Sequence, residues 1–183
     1  SDVCSSDLNV IDYYLKNGGK GWMFLDFMDV KDPYPTKYEA EEASLSGTSA
    51  VAQSPSPILG ASNDAVVGAG NDGMTNTDDK VSFTVNVKAA GNYHVKFVYA
   101  PKWYETSPRQ FSLNVNGTFV TDVNYTPTAG ANVFSETPAT SVTLKEGSNT
   151  IDYYLKNGGK GWMFLDYMMV EVATAAIDVK NNS

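Results

Sequence analysis

Cysteine is nearly absent. Cys4 is the only one in 183 residues, so no internal disulfide is possible and the fold rests on its core. Positive charge is scarce as well: 13 Lys and Arg stand against 21 Asp and Glu, a formal net charge of −8. A nucleic-acid binder needs a cationic footprint to displace phosphate counterions, and an anionic membrane surface would repel this chain. Histidine occurs once, as His94. It falls on the polar side of its strand with no nucleophile nearby in sequence, which reads as a solvated surface residue. No apolar run is long enough to span a bilayer, and no signal peptide precedes the first strand signals. If the protein is exported, its signal lies upstream of residue 1. No phosphate loop, zinc-ligand spacing or nucleophile elbow occurs. Glycoside hydrolysis needs two carboxylates a set distance apart. Glu105, Glu136 and Asp152 are available, but no pattern selects a pair. What remains open is a neutral ligand or a bound cation.

The chain does have a hydrophobic content of 42%, enough to bury one core in a single domain with residues to spare. It also carries an internal repeat. Residues 11–26, IDYYLKNGGKGWMFLD, recur unchanged at 151–166, and similarity continues briefly to Val30 and Val170. Different sequence follows each copy (KDPYPTKYEAEEA against EVATAAIDVKNNS), which favours tandem modules over an assembly error. The spacing exceeds the roughly 20–50 residues of solenoid repeats and suits whole domains. Residues 1–8, SDVCSSDL, resemble the translation of a sequencing adapter and are set aside. Residues 9–30 are then the C-terminal remnant of a preceding module. Residues 31–37 form a linker stiffened by Pro33 and Pro35. Residues 38–172 form the intact module, and 173–183 begin another linker or tail.

Period-2 alternation dominates that module. Val81, Phe83, Val85 and Val87 alternate with Ser82, Thr84 and Asn86; Tyr93, Val95, Phe97 and Tyr99 behave likewise, as do Phe111, Leu113 and Val115. Asn116-Gly117 supplies the positive φ angles of a two-residue hairpin turn. Val142 and Leu144 lead to a turn at Glu146–Asn149 and a strand over 150–155. The last strand is read as 162–172. Tyr153 and Tyr154 should point to opposite faces. No segment keeps a 3.6-residue period over three turns, and residues 44–76 read as short strands with long loops. The expectation is an all-β, antiparallel β-sandwich.

Five motifs, in order, carry a resemblance: YEAEEASLSG from Tyr38, VSFTVNV with AGNY from Val81, LNVNG from Leu113, LKEGSNTI from Leu144, and GWMFLDYM from Gly161. Together they resemble the carbohydrate-binding modules of families 35 and 6. The closing motif is most similar to the mannan-binding branch of family 35. The resemblance implies a jelly-roll sandwich of the galactose-binding-domain type with no catalytic residues. It also implies a monomer that is part of a larger secreted glycoside hydrolase, whose catalytic domain lies in the same parent chain. The expected partner is a plant-type polysaccharide, β-mannan first and xylan or pectin next. The sequence departs from that pattern at two positions: Phe164 stands where the mannan-binding branch tends to carry Asp, and Phe134 where Trp is common.

The resemblance further implies a structural calcium. Glu39 and Glu41, two apart on a strand, would leave the same face, and Asp166 would supply a third carboxylate from the closing strand. Spacing alone favours three solvated carboxylates near strand ends; the family pattern favours calcium. Asp26 repeats Asp166, but residues 9–30 lack the matching glutamates. For the sugar, aromatic faces stack on pyranose CH groups and polar side chains add hydrogen bonds. Three loops offer these: 156–162 with Asn157 and Trp162, 101–105 with Trp103 and Tyr104 beside Arg109, and the polar loop 68–73. The competing readings are that Trp162 is buried between the sheets and that Trp103 and Tyr104 pack on the sandwich end. Two other functions also remain: an adhesion or spacer module with no sugar site, and a fragment of a glycoside hydrolase.

Overall fold

A computed structural model describes residues 35–70, 72–102, 109–125, 130–155 and 162–173, with the backbone alone for Arg109 and Tyr125. Twelve strands are present there: β1 Thr36–Glu39, β2 Ser44–Ser46, β3 Ala52–Gln53, β4 Val66–Val67, β5 Lys80–Val87, β6 Gly91–Pro101, β7 Arg109–Val115, β8 Thr118–Tyr125, β9 Ser135–Glu136, β10 Thr140–Leu144, β11 Gly147–Tyr154 and β12 Met163–Val172. The only helical turn among the described residues is a 3-10 turn at Ser62–Asp64.

All pairings are antiparallel and fall into two sheets. One runs β10-β6-β12-β4-β3, with β1 also on β12 and β9 on β6; the other runs β2-β5-β11-β7-β8. The alternating residues of β5, β6, β7 and β11 meet between the sheets because each strand must hide one apolar face. At the centre Tyr153 stacks between Phe97, 4.1 Å away between centroids, and Phe111, at 4.4 Å. This is an all-β jelly-roll sandwich, as expected. The Asn116-Gly117 turn has positive φ at both residues, and Tyr153 is buried while Tyr154 lies on the outer face.

Several local expectations need correction. The opening segment is not one strand. β1 begins at Thr36, two residues before the expected start, and ends at Glu39. The chain then turns at Ala40, whose N–H bonds the Asp166 carbonyl at 2.9 Å, and crosses to the other sheet as β2. The turn before β11 falls at Lys145-Glu146, since pairing with Val87 already begins at Gly147. The last strand begins at Met163, because Trp162 takes a positive φ of 56° that no strand residue can adopt. Finally, β12 does not alternate throughout. Against β6 its register slips between Leu165 and Tyr167, leaving Asp166 as the extra residue of a β-bulge.

Candidate functional site

That bulge builds the first cluster. A strict alternation would bury either Asp166 or Tyr167 between the sheets. The extra residue instead leaves both on the outer face, while Leu165 and Met168 stay in the core. Asp166 then lies against the end of β1 and the Ser62–Asp64 turn. Its Oδ1 accepts the Ser62 N–H at 3.0 Å. The Ser62 hydroxyl donates to Glu39 Oε1 at 2.8 Å, and Asn63 Nδ2 donates to Glu41 Oε1 at 3.4 Å. Glu41 follows the end of β1, so its proximity to Glu39 comes from a turn and the 3-10 segment, not from strand spacing.

The electrostatics of this cluster are unbalanced. Asp166 is 2% exposed and Glu39 9% exposed. Burial pushes the Asp166 carboxyl up to about 6; the Ser62 N–H opposes this, while Glu39 and Glu41 raise it further. Among the described residues the cation beside them is Lys37, at 2.6 Å from Glu39 Oε1 and 5.1 Å from the Tyr167 ring centre. The hydrogen bond to Glu39 raises the Lys37 ammonium above its ordinary value. Two carboxylate oxygens, Glu39 Oε2 and Glu41 Oε2, are buried with no hydrogen-bond partner. Orphaned buried oxygens beside a third carboxylate are the donor set a hard cation takes. The residues therefore fit calcium in charge and donor type. Among the described residues no three acidic or imidazole side chains already converge at ligating distance.

The second cluster lies at one end of the sandwich. Trp162 is half-exposed and absent from the core, so it is not buried between the sheets. Its N–H bonds the Met74 carbonyl at 2.7 Å, and its carbonyl accepts the Lys102 N–H at 2.8 Å. Asn132 N–H bonds the Pro101 carbonyl at 2.7 Å. Four chain segments thus meet around the Trp162 backbone and the end of β6. Gly73 makes the approach possible: a Cβ there would lie 2.2 Å from the Met163 carbonyl oxygen, and its φ is +73°. A tryptophan held at positive φ is a costly conformation that persists only where surrounding bonds impose it.

Of the residues singled out from sequence, Glu39, Glu41 and Asp166 are brought together, and Trp162 stands at the loop end. Trp103, Tyr104 and Asn157 lie outside the described residues. Arg109 pairs with Tyr125 at the start of β7. Phe164 and Phe134 join a small apolar cluster with Ile58, Val66 and Ala100, separate from the main core. His94 lies at the surface, its Nδ1 3.9 Å from Glu171, which also faces Lys96. Sequence reasoning missed Lys37 and Ser62. Lys37 was assigned to a linker, and Ser62 reaches Asp166 across 104 positions from a stretch with no periodic signal.

Comparison with known proteins agrees with this architecture. The family model for carbohydrate-binding module family 35 matches residues 36–173. A cycloisomaltooligosaccharide glucanotransferase of Niallia circulans is 28% identical over 91% of this chain, which spans 16% of that protein. A 1,6-alpha-glucosyltransferase of Sporosarcina globispora is 28% identical over 98% of the chain, which spans 14% of it. A family 35 module from Clostridium thermocellum superposes with a TM-score of 0.62 at 27% identity, covering 75% of this chain and 98% of that one. With strands, register and family model in agreement over the same residues, the chain belongs to carbohydrate-binding module family 35, a family of non-catalytic modules that also occur within larger carbohydrate-active enzymes.

Proposed function

We propose that this module binds a neutral polysaccharide and, as a monomeric and non-catalytic part of a longer secreted enzyme, holds that enzyme on its substrate. The observation that carries the reading is Trp162: a half-exposed indole, fixed at positive φ where four chain segments meet at one end of the sandwich. Its ring is the stacking platform for a pyranose. Trp103 and Tyr104 follow directly on Lys102, whose N–H bonds Trp162, and supply further aromatic area. Arg109 and Asn157 donate hydrogen bonds to ring hydroxyls. Calcium, held by Glu39, Glu41 and Asp166, neutralises the crowded carboxylates and clamps β1 to β12. Its role is structural.

β-Mannan is the first candidate target, on the likeness of the closing strand motif to the mannan-binding branch. An α-1,6-linked glucan is the second, favoured by the names of the two curated relatives. The net charge of −8 disfavours pectin, whose uronates are anionic. Affinity electrophoresis of the full chain through gels of galactomannan, glucomannan, xylan, pectin or dextran, with calcium and with chelator, tests the reading. The expected result is retardation in a mannan gel, lost in Trp162→Ala. Retardation in dextran alone would move the target to α-1,6-glucan. A folded protein retarded in no gel would instead be a structural or adhesion module.

A further inference from the structure

Leu155 and Trp162 share a buried anchor. Asp79, immediately before β5, is 1% exposed. Its carboxylate is saturated with donors. Oδ1 accepts the N–H groups of Ser49 at 2.7 Å and Ala50 at 3.0 Å. Oδ2 accepts those of Thr75 at 2.9 Å and Asn76 at 2.8 Å, together with the Ser49 hydroxyl. Ser49 Oγ in turn accepts the Asn76 amide at 2.8 Å. The segment 74–79 is therefore wound around one buried charge-bearing group and tied to the stretch after β2.

That wound segment holds both Leu155 and Trp162. The Asp79 carbonyl accepts the Leu155 N–H at 3.0 Å. The Met74 carbonyl accepts the Trp162 N–H at 2.7 Å, and the Met74 N–H bonds the Met163 carbonyl at 2.8 Å. Leu155 directly follows β11, and Trp162 directly precedes β12. Their separation is set by the shape of 74–79, and that shape is set by the Asp79 carboxylate.

We propose that Asp79 is a positioning residue for the glycan site: through segment 74–79 it fixes Leu155 and Trp162 relative to each other and holds Trp162 at its positive φ. The proposal rests on reading Trp162 as the sugar platform. The chemistry requires an acceptor-only group at this point. A carboxylate offers two oxygens to converging donors, whereas an amide of the same shape turns an NH2 toward N–H groups that then lack an acceptor. Asparagine therefore preserves volume and disrupts only the bonding pattern. A purely structural residue would lower stability and leave the folded site unchanged. A positioning residue changes the site while the protein is still folded.

The test compares Asp79→Asn with the wild-type chain at 15 °C, using circular dichroism to establish that both are folded. Val142→Ala, a core residue of β10 paired with Tyr93 at the opposite end of β6 from Pro101, is the destabilised control. Two readouts are taken: retardation in the gel that binds wild type, and the Trp162 indole N–H resonance, assigned with Trp162→Phe. Asp79→Asn is expected to weaken glycan binding about tenfold and to shift the indole resonance. Val142→Ala should lower Tm with neither effect. Wild-type retardation and an unshifted resonance in folded Asp79→Asn would overturn the proposal. If wild type binds no gel, the sugar reading fails by itself, and the indole resonance still decides whether Asp79 sets Trp162. Should Asp79→Asn not fold, Ser49→Ala removes the hydroxyl that donates to Asp79 and accepts from Thr75 and Asn76, and keeps the four backbone donors on the carboxylate. It should give a smaller shift of the same resonance and about a threefold loss of binding; no change in either would again overturn the proposal.

Discussion

Asp166 shows how one inserted residue can set a site. Its carboxyl is displaced from the ordinary 3.8 to about 6, chiefly by burial and then by Glu39 and Glu41. A carboxyl whose folded value is raised favours the folded state while protonated. That contribution is complete below about pH 4 and is lost as pH rises through about 6, a loss on the order of 2 kcal/mol. In chelator, Tm measured by calorimetry should therefore fall by several degrees between pH 4 and 7, beyond any change seen in Asp166→Asn. Calcium should cancel that fall in wild type and do nothing for Asp166→Asn. If calcium stabilises both proteins equally, the three carboxylates do not hold the ion. Gly73 makes a second case. Gly73→Ala would force a Cβ against the Met163 carbonyl oxygen at φ +73°, and should cost about 2–3 kcal/mol in urea unfolding. The charges at Glu39, Glu41 and Asp166 were visible in sequence. The 3-10 turn that brings Ser62 and Asn63 onto them was not, because a short turn in a Ser-, Gly- and Pro-rich stretch leaves no periodic trace.

Among the elements, β5, β6, β7 and β11 were legible because each is long and half-buried, so alternation repeats several times. Their faces meet in the Phe97–Tyr153–Phe111 stack. Phe111→Ala removes one ring of it and should cost about 3–5 kcal/mol by denaturant titration. Thr84→Ala, on the exposed outer face of β5, should change stability by no more than about 0.5 kcal/mol. The short strands β3, β4 and β9 are two residues each, too short for any alternation to register. The break between β1 and β2 was hidden for another reason. YEAEEASLS alternates well enough to pass for one strand, yet its two halves belong to different sheets. Only the pairing of Glu39 with Tyr167 and of Ser44 with Ser82 separates them.

At the scale of the molecule, every strand of both described sheets comes from residues 36–172. Deleting residues 1–30 should therefore leave Tm within about 2 °C, a shift that corresponds to well under 1 kcal/mol; a large drop would show that the first copy of the repeated segment contributes to the fold. Binding to a neutral polysaccharide through stacking and hydrogen bonds should also change little between 50 and 500 mM salt, since ~10 Å screening acts on charges that such a ligand lacks. A steep salt dependence of gel retardation would point to an anionic ligand instead. By itself the sequence determined the fold class, the hairpin at Asn116-Gly117 and the family resemblance. These depend on local periodicity, turn chemistry and the order of motifs, all of which are written along the chain. Only the tertiary structure decided the bulge at Asp166, the capture of Lys37 by Glu39, the positive φ of Trp162 and the winding of 74–79 around Asp79. Each of these depends on which backbone groups find partners from distant segments, and a bulge or a buried carboxylate is stable only once those partners have closed around it.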